Sequence, residues 1–121
     1  MLVLIFDDNL LSSASLLNQL QFAGHEGIIA GTVQEARRAV PRRPDVILMN
    51  LVARSFDPPV LIRQLRSEAA MHGAPIVGFC GHQDALRKKN AVEAGCHRVI
   101  SNAQAHKQLA ATLEQLVTRD P

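Results

Sequence analysis

The sequence predicts a doubly wound α/β fold, in which a five-stranded parallel sheet is covered by helices on both faces. Short apolar runs without polar alternation recur along the 121 residues, and each is followed by a longer segment of helical period. No linker, repeat or low-complexity stretch interrupts this alternation, so residues 1–121 read as one domain of βα units joined by right-handed crossovers. An apolar content of 47% is enough to fill a core at this length.

Leu2–Phe6 is the first expected strand, and the helix expected over residues 9–23 places Leu10, Ala14, Leu17 and Leu20 at close to helical spacing before Gly24 stops it. Glu26–Ala30 is the second strand. Thr32, three residues before Glu35, opens a second helix that Pro41 closes. In PDVILMNL, Val46, Ile47, Leu48 and Met49 form the third strand and Asn50 stands at its end. Asp57 before Pro58 and Pro59 caps a third helix, with Leu61, Leu65 and Ala69 inward and Gly73 as its stop. Ile76–Cys80 is the fourth strand, and a helix over residues 84–94 ends at Gly95. Arg98–Ser101 is the fifth strand. A last helix over residues 103–118 turns His106, Leu109, Leu113, Leu116 and Val117 to one face.

Composition removes several functions. There is no Trp or Tyr and aromatics total 3%, which leaves little from which to build stacking platforms for single-stranded nucleic acid. No apolar run is long enough to span a bilayer, and Met1 leads into Leu2 without a basic region or a cleavable small-residue site, so a cytoplasmic location is expected. Cys80 and Cys96 lack the CxxC spacing of redox or zinc motifs. As placed, they fall at opposite ends of parallel strands about 13–17 Å long, beyond the reach of a disulfide. The five histidines, His25, His72, His82, His97 and His106, are scattered over loops and helix ends, and most are expected at the surface.

In such sheets ligands bind beyond the carboxyl ends of the strands, where Asp7, Asp8, Asn50, Cys80, Gly81 and Asn102 should lie. Adjacent Asp7 and Asp8 outline a Mg²⁺ site, although Asp8 and Asn9 could equally serve as a helix cap. Neither G-x-G-x-x-G nor a Walker loop follows the first strand, so dinucleotide, nucleotide and flavin binding lose their usual anchors.

Taken together and in order, LVLIFDDN, PDVILMNL, APIVGFCGHQD and AVEAGCHRVISNA resemble the landmarks of a response-regulator receiver domain of the CheY-like kind, over the whole chain. The resemblance implies a flavodoxin-like (βα)5 fold with strand order 2-1-3-4-5. It also implies a phosphorylated Asp after the third strand, an acidic pair binding Mg²⁺, a Thr or Ser after the fourth strand and a Lys after the fifth. Carried onto this sequence, the acidic pair is Asp7 and Asp8, but the acceptor position is Asn50, the hydroxyl position Cys80 and the Lys position Asn102. Ala103 replaces the usual Pro, Val99 stands at the aromatic switch position, and the usual Met-Pro is lost within Val52, Ala53 and Arg54. An amide is a poor nucleophile and cannot form an acyl phosphate. A single laboratory substitution would have left the other positions intact, so the pattern reads as a naturally degenerate pseudo-receiver.

Such a receiver implies a non-phosphorylatable docking or regulatory module of a two-component-type pathway, not an enzyme, with residual Mg²⁺ binding weak at best because one anionic ligand is now neutral. The fourth helix and fifth strand and helix form the family's common partner face. Here it carries Arg87, Lys88, Lys89, Arg98 and Lys107, which suit an acidic protein surface, although a solvated basic face accounts for them equally well. The alternative is a ligand or metal sensor using Asp7, Asp8, Cys80 and His82 as a mixed oxygen, sulfur and nitrogen set. Asp57 is better explained as a helix cap than as a substitute phosphorylation site.

Overall fold

The computed structural model describes residues 1–68 and 73–118. Five parallel strands, β1 (Leu2–Phe6), β2 (Glu26–Ala30), β3 (Val46–Asn50), β4 (Ile76–Cys80) and β5 (Arg98–Ser101), form one sheet in the order β2-β1-β3-β4-β5. Six helices are interleaved: α1 (Leu10–Phe22), α2 (Val33–Ala39), α3 (Pro58–Ser67), α4 (Ala85–Ala94), α5 (Asn102–Lys107) and α6 (Leu109–Thr118). This is the doubly wound parallel fold with the 2-1-3-4-5 order that the sequence anticipates.

Successive strand side chains point to opposite faces, and both faces are apolar. Val3, Ile5, Val46, Leu48, Val77, Phe79 and Ile100 pack under α1, α5 and α6 with Leu16, Leu20, Ala105, Leu109 and Leu113. Leu4, Phe6, Ile47, Met49, Ile76 and Cys80 pack on the opposite side with Leu61, Ile62, Leu65, Ala91 and Ala94. Asp45 lengthens the β1–β3 contact: its amide donates to the Leu2 carbonyl and its carboxylate accepts from the Leu2 amide.

Four elements depart from what the sequence predicts. Helix α1 buries Ser13, Leu16 and Leu20, while Leu10 is 84% exposed and Ala14 also faces water. Leucines at five of its positions permit more than one apolar stripe, and packing against the sheet selects the one through Leu16 and Leu20, while Asn9 caps the Ser12 amide. Helix α2 ends at Ala39, and Pro41 lies within a short 3-10 turn, Val40–Arg42, closed by Arg43 in the left-handed region. Helix α3 ends at Ser67, well before Gly73; Ala69 and His72 lie outside the described residues.

The expected single terminal helix is two. Gln108 leaves helical geometry at φ −137°, and the Leu109 amide donates to the Gln19 side chain at 3.1 Å in place of a helical carbonyl. The Gln19 amide group also donates to the Ala105 carbonyl at 2.9 Å, so one side chain of α1 holds both sides of the break. Helix α5 starts at Asn102 because Ser101 and Gln104 form a reciprocal capping box, a signature that is present in the sequence but overlooked there.

Two glycines have structural reasons. Gly95 ends α4 at φ 114°, where a side chain is strained. Gly78 lies mid-strand in β4, and a Cβ there would meet the Leu51 side chain at 2.8 Å. Gly78→Ala is therefore expected to cost about 1–3 kcal/mol through overpacking. Urea unfolding should show a lower midpoint with an unchanged slope.

Candidate functional site

Sheet register brings the site together. Phe6 pairs with Met49 and Asn50 with Phe79, so Asp7, one residue past β1, lies beside the end of β3. Its amide donates to Ala30 at 3.1 Å, and the residue is 1% exposed.

A buried carboxylate needs donors or a counter-ion. Asp7 Oδ1 accepts from the Asn50 side-chain amide at 2.9 Å and from the Asn9 backbone amide at 3.0 Å; Oδ2 has no partner in the structure. Asn50 is used at both ends, because its Oδ1 accepts from the Val52 amide at 2.9 Å. A carboxylate at position 50 could accept from Val52 but could donate nothing to Asp7. The amide is thus the residue type that pairs with Asp7 without a cation.

Asp8 is turned to a different task. Its Oδ2 accepts from the amides of Arg54 and Ser55, both at 2.8 Å, and so anchors the loop between β3 and α3. The Ser55 hydroxyl bonds the Gly31 carbonyl, tying the same loop to the end of β2. Partial burial pushes the Asp8 carboxyl up, but the hydrogen bonds from Ser55 and Arg54 outweigh it and hold the group below its ordinary value. With a lowered folded-state pKa, the stabilisation is present above the unfolded value of about 3.9 and is lost as pH falls through the folded value. The loop anchor therefore persists through neutral pH. The sequence gives no sign of it: the adjacent acidic pair suggests a cation, and the backbone amides it actually binds lie 46 and 47 residues away.

Cys80, Asn102 and Val99 lie at or near the ends of β4 and β5, but not all of them face the same side of the sheet. Cys80 is fully buried, its side chain turned to the α3/α4 layer, and burial raises its thiol pKa. Asn102 is exposed at the start of α5, and Val99 is half-buried on β5. Asp8, Asn9, Ser12, Asn50, Phe79, Asn102 and His106 border an open cleft of about 660 Å³. Cys96 is also buried and free, its thiol raised by burial and donating to the Ile76 and Arg98 carbonyls.

The mixed metal set does not assemble. Among the described residues no three His, Cys, Asp or Glu side chains form a metal site, because Cys80 points into the core while His82 is exposed. Of the four described histidines, two are exposed and two half-buried. His25 is half-buried against Glu114 at 3.1 Å, and His106 is half-buried between Ser12 and Ser15 with its ring edge-on to Phe79. His97 and His82 are exposed, and His97 accepts from the Ile76 amide; His72 lies outside the described residues. Asp57 caps α3 through the Val60 amide, as anticipated.

Of the basic candidates, Arg87 pairs with Asp84, and Lys88 donates to the His82 carbonyl at 2.8 Å. Lys89, Arg98 and Lys107 are exposed. No helix among the described residues is long and apolar enough to cross a membrane.

No family model matches the sequence. The chain is 25% identical over 117 residues to the response regulator PleD of Caulobacter vibrioides, covering 97% of this chain and 26% of PleD. It thus spans about a quarter of the length of the curated relative it matches. Among solved structures, CheY4 of Vibrio cholerae superposes with a TM-score of 0.83 at 21% identity, covering 95% of this chain and 97% of that one. The receiver domain of the sensor histidine kinase PA1611 from Pseudomonas aeruginosa, which has a magnesium ion in its active-site cleft, gives 0.77 at 20% identity, with 98% and 94% covered. The structural likenesses establish the fold, and with the sequence similarity to PleD they support a response-regulator receiver domain of the CheY-like kind.

Proposed function

We propose that this domain acts as a phosphorylation-independent receiver, a protein-docking or regulatory module of a cytoplasmic two-component-type pathway. The observation that carries this reading is the Asn50 side chain, which donates to Asp7 and accepts from Val52 at once. It occupies the acceptor position with a group that cannot become an acyl phosphate, and it supplies the donor that Asp7 would otherwise draw from a cation. The exposed Asn102 brings no positive charge to the cleft, and the buried Cys80 offers no hydroxyl.

The donor set fits Mg²⁺ poorly. Asp8 Oδ2 is committed to two loop amides and both ends of the Asn50 amide are taken, so a cation would be left with Asp7 Oδ2 and the second oxygen of Asp8. Residual Mg²⁺ binding is accordingly weak at best. The partner is a protein, and Lys89, Arg98 and Lys107 are the exposed cations available to an acidic surface on it.

The backbone amide resonances of residues 7, 50 and 102 should stay in place when Mg²⁺ and then beryllofluoride are added. A saturable shift reaching β5 would replace this reading with a ligand-driven switch. In chelator, Asn50→Ala should lose about 1–3 kcal/mol by stranding the buried Asp7 carboxylate. Asn50→Asp should also lower Tm in chelator but recover on addition of Mg²⁺, because two facing carboxylates then require a cation. Equal Mg²⁺ stabilisation of the unaltered protein would contradict the proposed role of the amide. Asp8→Ala should speed hydrogen exchange at the Arg54 and Ser55 amides above that of neighbouring loop amides; unchanged exchange would remove Asp8 as the loop's anchor.

A further inference from the structure

A recess of about 710 Å³ opens between the loop after β3, the first turn of α3 and α4. Its size falls within the roughly 300–1,000 Å³ of small-molecule sites. It shares Arg54 with the strand-end cleft and no other lining residue. The buried Leu51, Phe56 and Ala91 give it an apolar floor, and Pro58 and Pro59 add rigid apolar walls. Leu86 stands on its border 68% exposed, a large apolar side chain that a ligand in the recess would take out of water.

Four charged side chains border the recess, and three are committed. Asp57 caps α3 by accepting from the Val60 amide. Asp84 caps α4 by accepting from the Arg87 amide, and it pairs with the Arg87 guanidinium. That leaves Arg54. Its side chain is exposed, and among the described residues its guanidinium forms no ion pair. Its backbone is fixed, because Asp8 holds its amide at 2.8 Å.

We propose that this recess binds a small amphiphilic organic acid, with the apolar body on Leu51, Phe56 and Leu86 and the anionic group on Arg54. The planar guanidinium presents a fork of donors that suits a carboxylate or a similar oxyanion. An exposed ion pair adds little affinity by itself, so the apolar body supplies most of the binding and the charge sets the orientation. A cation would meet two carboxylates that already hold their donors and an unpaired guanidinium that repels it. An extended peptide fits less well, since no lining residue belongs to an edge strand, β2 or β5, and no free strand backbone is there to pair with.

The probe 8-anilinonaphthalene-1-sulfonate, an aromatic body with one fixed negative charge, tests this by fluorescence titration and amide NMR. The expected result is saturable binding, with shifts concentrated at the amides of residues 51, 53, 56, 86 and 91 and displacement by naphthoate. Arg54→Glu should raise the Kd by about fivefold or more, and Arg54→Gln should move it the same way. Neither should alter the Kd of 1-anilinonaphthalene, the same body without the sulfonate. Leu86→Gln should weaken both probes about threefold, and Phe22→Glu on α1 should weaken neither. The substituted side chains are exposed, so Tm should match the parent. Absence of saturable binding overturns the proposal, as do shifts confined to α1 or equal losses of both probes in Arg54→Glu. Displacement by an apolar acidic peptide but not by naphthoate overturns it too, by assigning the recess to a protein partner.

Discussion

A buried carboxylate at the mouth of a parallel sheet is the constraint around which this site is built. Asp7 follows directly on an apolar strand, and its burial comes with its position, because its neighbours β2 and β3 flank it on both sides. Something must then donate to it. Here the donors are the Asn9 backbone and the Asn50 side chain, both supplied by the chain itself. The loop after β3 inherits its course from this pairing, since the other end of the same amide fixes Val52 and Asp8 fixes the next turn.

The two halves of the acidic pair are thereby divided. Asp7 serves the sheet and Asp8 serves the loop, although adjacency in sequence suggests one shared ligand. Ser55 extends the division by tying the loop to Gly31 after β2, and Phe56 comes next with its ring edge-on to Phe6 at 5.8 Å. Four short contacts thus hold a segment that would otherwise be free to move over the cleft. In the proposed reading this is why the site does not need to switch, because the contacts that order the loop are already made by the chain's own groups, the Asp8 carboxylate among them.

Much of this was legible in the sequence, and the boundary is instructive. The five strands could be read because fully apolar runs of four or five residues bounded by Asp, Gly or Pro admit few other structures. The places of Asn50, Cys80 and Asn102 at the ends of β3, β4 and β5 could be read because strand ends were the best-defined points in the chain. The phase of α1 could not be read, since leucines at 10, 11, 16, 17 and 20 support two stripes and only the packing of Leu16 and Leu20 against the sheet chooses between them. The break at Gln108 was equally hidden, because it depends on Gln19, a polar residue 90 positions from the Leu109 amide that it accepts from. Hydrophobic periodicity reports what a helix buries; it carries no information about a side chain that replaces a backbone acceptor.

The misread phase of α1 also decides where information can reside on the surface. Had Leu10 and Ala14 faced inward, the outer face would have been ordinary; with Ser13 and Leu16 inward, Leu11 and Phe22 are left in water at opposite ends of an uncharged helix. Core and surface share one set of leucines, so the packing choice that satisfies the sheet creates the apolar ridge outside. In the proposed reading, a strand-end site held in one state by its own amide offers no phosphoryl-dependent surface. Whatever specificity it has must then be displayed permanently, on features such as the exposed Leu11 and Phe22 of an uncharged helix.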